Sequence, residues 1–163
     1  MFPGINDSKK LKKEKREEIF KIAEKLKKEK LIDYAVAMRN AKKIDLKGIS
    51  VCIKECVKEV LSKLDINPKE SLVLLDGSLY APEEFVNQKT IIKGDVKEKI
   101  ISLASVIAKV NRDKYMEKVS KKYPKYKFEK HVGYGTSLHR AVILEHGVCV
   151  EHRISFLSAI LKS

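Results

Sequence analysis

Little in this chain invites cross-linking, membrane insertion or export. It has three cysteines in 163 residues. The count is odd, and Cys52 and Cys56 sit four apart on a predicted helix, a spacing that suits a disulfide poorly. Core thiols in a reducing compartment are the simplest reading, and a metal pair is disfavoured. No apolar run of about 18 residues occurs, so no membrane span is expected. The opening stretch, MFPGINDSKKLKKEK, goes straight into charge with no apolar core of a leader peptide, so a secretory signal is not expected there. Internal repeats and low-complexity linkers are also lacking. A single domain over residues 1–163, long enough to bury a real core, is the simplest organisation.

What the chain has in excess is positive charge. Thirty-five Lys and Arg stand against 22 Asp and Glu, a net +13 with a pI near 9.6. A field of that sign favours polyanions, nucleic acid first and an anionic membrane surface second. Lysine-rich helices also arise as solvated faces, so the charge suggests a partner and no reaction.

Apolar spacing organises the rest. Residues 9–30 read as a charged helix with a narrow stripe of Ile19, Ile22, Ala23 and Leu26. DYAVAM (33–38) reads as a strand, and residues 46–64 as a well-buried helix. LVLL (72–75), broken by Asp-Gly, and KTIIKGD (89–95) read as short strands. Residues 97–118 form a long helix with Ile100, Leu103, Ala104, Ile107 and Val110 on one face. Thr136 is placed to cap a helix over SLHRAVILEH that Gly147 ends, and ISFLSAILKS closes the chain as a short helix. Strands alternating with helices predict an α/β layered domain, although three strands are few for one.

Two acids stand out. Asp76 follows four apolar residues at the exit of a predicted strand, where an unserved charge is costly. Asp113 falls seven residues after Val106 and three after Val110, on the buried side of its helix. Two such carboxylates can share a hard divalent cation, as nucleases do. Spacing alone equally allows each to be a cap, a turn former or half of an ion pair.

Six blocks in order sharpen this: NDSKKL (6–11), LLDG (74–77), IIKGD (91–95), ASVIAKVNRD (104–113), KHVGYGT (130–136) and HRISF (152–156). Together they resemble bacterial ribonuclease HII, the type 2 ribonuclease H that nicks RNA or single ribonucleotides embedded in duplex DNA. The resemblance runs from about residue 3 to about residue 157. It implies a ribonuclease H-like mixed sheet with flanking helices and four carboxylates holding two Mg²⁺ or Mn²⁺ ions. Asp76 matches the third acid and Asp113 the fourth. The first two form an Asp-Glu pair in a Gly-rich motif upstream of the NDSKKL block, where this sequence has only MFPGI. The expectation is therefore a sheet missing its first strands, in a chain N-terminally truncated from a longer frame or decayed from one. With half the negative charge of the site, it is expected to hold metal loosely and to cleave weakly or not at all alone.

The resemblance also assigns substrate readers. Tyr134 matches a tyrosine that stacks on the sugar at the RNA-to-DNA junction, and Lys9 and Lys10 match a basic loop near the scissile strand. Val132 stands where a lysine is common, which implies a lost phosphate contact. Lys12 stands where a capping Ser is frequent, which implies a weaker helix start. His139, His146 and His152 carry little functional weight: His152 is expected to pack or cap, His139 to lie on the first turn of its helix, and neither has ligand spacing to a Cys or another His. The expected protein is a cytoplasmic monomer acting on RNA/DNA hybrid duplexes. A non-catalytic nucleic-acid-binding module that keeps Tyr134 is the alternative, and a basic structural protein, which would not account for the blocks, is a third.

Overall fold

The computed structural model describes Ile5 and residues 11–158. Among these residues the chain is α/β: α1 (Lys13–Lys28), α2 (Ala41–Lys47), α3 (Ile49–Lys63), β1 (Val73–Asp76), β2 (Gln88–Ile91), α4 (Gly94–Lys97), α5 (Lys99–Lys122), α6 (Phe128–His131) and α7 (Ser137–His146). Single 3₁₀ turns lie at Pro124–Tyr126 and Ile154–Phe156. The chain divides into two compact units. One takes residues up to Ala37 together with Ile53–Asn111, and the other takes Met38–Cys52 and the chain from Arg112 onward.

The first unit carries the sheet. β1 and β2 pair in parallel, with Leu75 opposite Thr90 and Asp76 opposite Ile91. The crossover between them is tied down by side chains. Gln88 accepts from the Ala81 amide at 2.8 Å and donates to the Phe85 carbonyl at 3.0 Å, while Thr90 donates to the Leu79 carbonyl at 2.8 Å. Leu61, Leu75, Ala81 and Phe85 form the core under this crossover. A second core joins Ile19, Phe20 and Ala23 of α1 to Val106, Ile107 and Val110 of α5.

The second unit is built on an aromatic core of Met116, Val119, Tyr126, Phe128 and Val142, with the Tyr126 and Phe128 rings stacked 5.5 Å apart. Its C-terminal 3₁₀ turn is held by Asp45 of α2. That carboxylate accepts from the amides of Ile154 (2.8 Å) and Ser155 (3.1 Å) and from the Ser155 hydroxyl (2.5 Å).

Several expectations are corrected. DYAVAM is not a strand. Its residues are irregular, with no ladder partner among the described residues, and lysine side chains serve two of its carbonyls, Lys27 at Tyr34 and Lys63 at Val36. The helix expected over residues 46–64 is interrupted by Gly48, whose φ of 80° ends α2 before α3 begins. The strand expected over 89–95 stops at Ile91, since Lys93 turns left-handed (φ 57°) to start α4. On α5 the expectation holds in part: Ile107 and Val110 are buried and Leu103 packs against them, but Ile100 is 65% exposed and Ala104 is exposed, while Ile101, Ser102 and Val106 are buried as well. In α1, Phe20 takes the buried place expected of Ile22.

Other expectations hold. The three cysteines are free thiols. Thr136 caps α7 by accepting from the His139 amide, Gly147 ends it with φ 73°, and Lys12 provides no side-chain cap for α1. The terminal helix expected over ISFLSAILKS begins as the 3₁₀ turn Ile154–Phe156, and its last five residues, with Lys9 and Lys10 at the other end, lie outside the described residues. No helix is long and apolar enough to cross a membrane among the described residues.

Candidate active site

Asp76 closes β1 because the parallel pairing with β2 ends there, and Gly77 (φ 69°) turns the chain away. The KGD turn then comes back to it. The Gly94 amide donates to Asp76 Oδ1 at 2.8 Å, fixing the half-buried carboxylate. Gly94 is required here by close approach. A Cβ built on it would stand 2.7 Å from Ile101 Cδ1 and 3.4 Å from Asp76 Oδ1. The LLDG and IIKGD blocks are therefore one structural device, with Asp76 Oδ2 carrying no hydrogen bond among the described residues. Asp95, next in the chain, is buried (3% exposed) within α4.

Asp76 belongs to the first unit and Asp113 to the second, where it is half-buried on α5. Both offer hard oxygen donors, which suit Mg²⁺ or Mn²⁺ in kind. In number the donor set is short: among the described residues no three His, Cys, Asp or Glu side chains gather where they could hold a metal.

Tyr134 is presented to solvent on a turn that is firmly built. Its ring is 71% exposed, while its amide donates to the His131 carbonyl at 2.8 Å and its carbonyl accepts from His139 Nδ1 at 2.9 Å. Behind it lie three buried imidazoles. His131 and His139 stack with centroids 4.1 Å apart, and His139 Nε2 meets His152 Nε2 at 3.1 Å. The partners assign the protons. His131 Nδ1 accepts from the Gly133 amide, so Nε2–H donates to the Tyr126 carbonyl. His152 Nδ1 accepts from the Cys149 amide, so Nε2–H donates to His139 Nε2, and His139 keeps its proton on Nδ1 for Tyr134. The relay works with all three rings neutral. Burial foremost pushes the pKa of His139 and of His152 below the ordinary histidine value, and the neighbouring imidazoles push the same way.

Comparison with known proteins fits this geometry. The family model described as Ribonuclease HII matches residues 3–159. A protein of Caldicellulosiruptor bescii named Ribonuclease HII is 46% identical over 159 residues, covering 98% of this chain and 74% of that protein. One of Clostridium perfringens strain 13 with the same name is 47% identical over 157 residues, covering 96% of this chain and 55% of that protein. A third, of Endomicrobium trichonymphae, is 42% identical over 154 residues. The chain belongs to the ribonuclease HII family. It spans roughly half to three quarters of the length of these relatives.

Within the ribonuclease HII frame, the sequence blocks separate by what they do in the fold. LLDG and IIKGD build the Asp76 carboxylate site, KHVGYGT presents Tyr134, and HRISF sends His152 beneath it. The packing role expected of His152 understates it, because His152 meets His139 Nε2 and His139 in turn holds the Tyr134 carbonyl. Sequence reasoning gave no role to Asp45, which sits 109 residues from its partner Ile154 and carries no local signal.

Proposed function

We propose that the chain supplies a metal-dependent endonuclease site of the ribonuclease HII type, acting on RNA/DNA hybrid duplexes and at single ribonucleotides embedded in duplex DNA. Asp76 and Asp113 would hold Mg²⁺ or Mn²⁺, Tyr134 would lie against the sugar at the junction, and Lys9 and Lys10 would meet the scissile strand. Bound metal supplies a water of lowered pKa and stabilises the leaving 3′-oxygen. The chain's own part is to aim one carboxylate from a strand end and to present a flat ring to a deoxyribose. The observation that carries the reading is the exit of β1, where the Gly94 amide pins Asp76 and leaves Oδ2 open.

Two carboxylates are half of the set that the family resemblance implies, so cleavage by this chain alone should be weak or absent. The protein is proposed to be a cytoplasmic monomer. The test is nicking of a duplex with one embedded ribonucleotide in Mn²⁺. A slow or undetectable rate is expected, with any residual activity abolished by Asp76→Asn. Robust nicking would overturn the expected weakness, and nicking that survives Asp76→Asn would overturn the site.

A second reading, a non-catalytic module that recognises RNA–DNA junctions, is favoured by the firm hold on Tyr134. It predicts junction binding that persists in Asp76→Asn and is lost in Tyr134→Ala, with no nicking in any metal.

A further inference from the structure

The second unit contains an open pocket of about 340 Å³ that none of the proposed roles uses. Three arginines line it, Arg112, Arg140 and Arg153, against a single acidic residue, Glu151. That carboxylate is already engaged, since Tyr115 donates its hydroxyl proton to Glu151 at 2.6 Å. No acid stands within ion-pair distance of any of the three arginines among the described residues. A cleft lined by one sign of charge focuses its field and concentrates counter-ions of the other sign.

The arginines are also arranged for a ligand. Arg153 lies over the Phe156 ring at 4.2 Å and Arg112 over the Tyr115 ring at 5.6 Å. Stacking occupies the guanidinium face and leaves its N–H edge for a bidentate acceptor. Arg112 keeps an exposed surface at the pocket. The lining also includes Gly133 and Gly135, the two glycines that flank Tyr134. A Cβ on Gly133 would stand 3.5 Å from Arg112 Nη2, so the arginine edge lies against the turn that carries the junction-reading ring.

We infer that Arg112, Arg140 and Arg153 form a phosphate-binding pocket that takes one backbone phosphodiester of the strand whose sugar lies on Tyr134. The inference rests on the proposed nucleic-acid reading and deepens it. The pocket sets how far along the strand Tyr134 reads, because the ring and the anion site are fixed to the same turn. Phosphodiester and free phosphate share the chemistry, so the source has to be separated by experiment.

The test measures binding of the 163-residue chain to a fluorescent duplex with one RNA–DNA junction, by anisotropy across a salt series. The variants are Arg112→Gln/Arg153→Gln, the charge-keeping Arg112→Lys/Arg153→Lys, and Lys28→Gln as a remote charge control. The Gln pair is expected to weaken binding more than tenfold and to lower the slope of log affinity against log salt by about 1, the value for one phosphate contact. Lys28→Gln should leave the slope unchanged, and the Lys pair should restore it, which separates lost charge from lost folding. Wild-type binding with an unchanged slope in the Gln pair would overturn the pocket and leave the nucleic-acid reading standing. No duplex binding by the wild type would overturn both. Thermal stabilisation by inorganic phosphate that is lost in the Gln pair, with duplex binding intact, would assign the pocket to a free anion and overturn the inference.

Discussion

At the scale of the residue, Val132 is where this chain departs most sharply from comfort. It ends α6 in the left-handed region, with φ 51°, immediately before Gly133 at φ 84°. A β-branched residue there is a genuine outlier, and the left-handed conformation costs an L-residue roughly 1–2 kcal/mol. The side chain recovers part of this by packing on the Tyr126–Phe128 core. Lysine, the residue the family resemblance expects at this position, keeps methylenes for that contact and removes the branch at Cβ. Val132→Lys should therefore stabilise the chain by about 0.5 kcal/mol and raise the melting temperature by about 1–2 °C. Val132→Ile, which keeps the branch, should give no gain. A lower melting temperature for the lysine variant would mean that packing outweighs backbone strain here.

At the scale of the element, the C-terminal 3₁₀ turn shows how a distant acid can do the work of a local cap. Asp45 accepts from both exposed amides at Ile154 and Ser155 and from the Ser155 hydroxyl. Those hydrogen bonds, the Ser155 hydroxyl first, hold its carboxyl below the usual aspartate value. Asp45→Ala should cost about 0.5–1 kcal/mol, the low end for a lost cap because the carboxylate is well solvated. Hydrogen exchange should accelerate at the Ile154 and Ser155 amides before the α7 amides change. Equal protection in the variant would show that the turn is held by its own sequence. The contrast with α7 explains what was legible. Thr136 and Gly147 bracket that helix by local rules, and both were readable from sequence. Asp76 was readable because an acid closing an apolar run is locally anomalous. Asp45, the exposure of Ile100 at the start of α5 and the missing pairing of DYAVAM all depend on which residues lie across the fold. A strand needs a neighbour, and sequence periodicity carries no record of one. The histidine relay was hidden for the same reason, since its rings come from three separate segments.

At the scale of the whole molecule, the titratable groups predict a stability profile with two limbs. His139 and His152 have folded pKa values below the ordinary histidine value of about 6.5, chiefly through burial. The unfolded chain therefore takes up protons first as pH falls, and stability declines from about pH 6.5 until the folded rings protonate. Asp33, Asp45 and Glu129 are held below their ordinary values by hydrogen bonds, the first-ranked donors being Lys27, Ser155 and Ser120 respectively. Their contribution is present at neutral pH and lost only below about pH 4, as the folded carboxyls protonate. Between about pH 4 and 8 the expected curve is flat at its upper end, shallow through the histidine range and steeper in acid. The upper limb also carries a functional mark. Protonating His139 at Nε2 sets its new N–H against the His152 N–H, so the relay that holds the Tyr134 carbonyl must rearrange. Urea unfolding from pH 4 to 8 measures the limbs, and Tyr134 amide exchange over the same range measures the turn. The Tyr134 amide should lose protection in the histidine range, before global unfolding. In His152→Gln the histidine limb should shrink by the share of that ring, whereas Asp45→Ala should alter only the acid limb. A histidine limb unchanged in His152→Gln would place the proton uptake elsewhere and leave the imidazoles as packing alone.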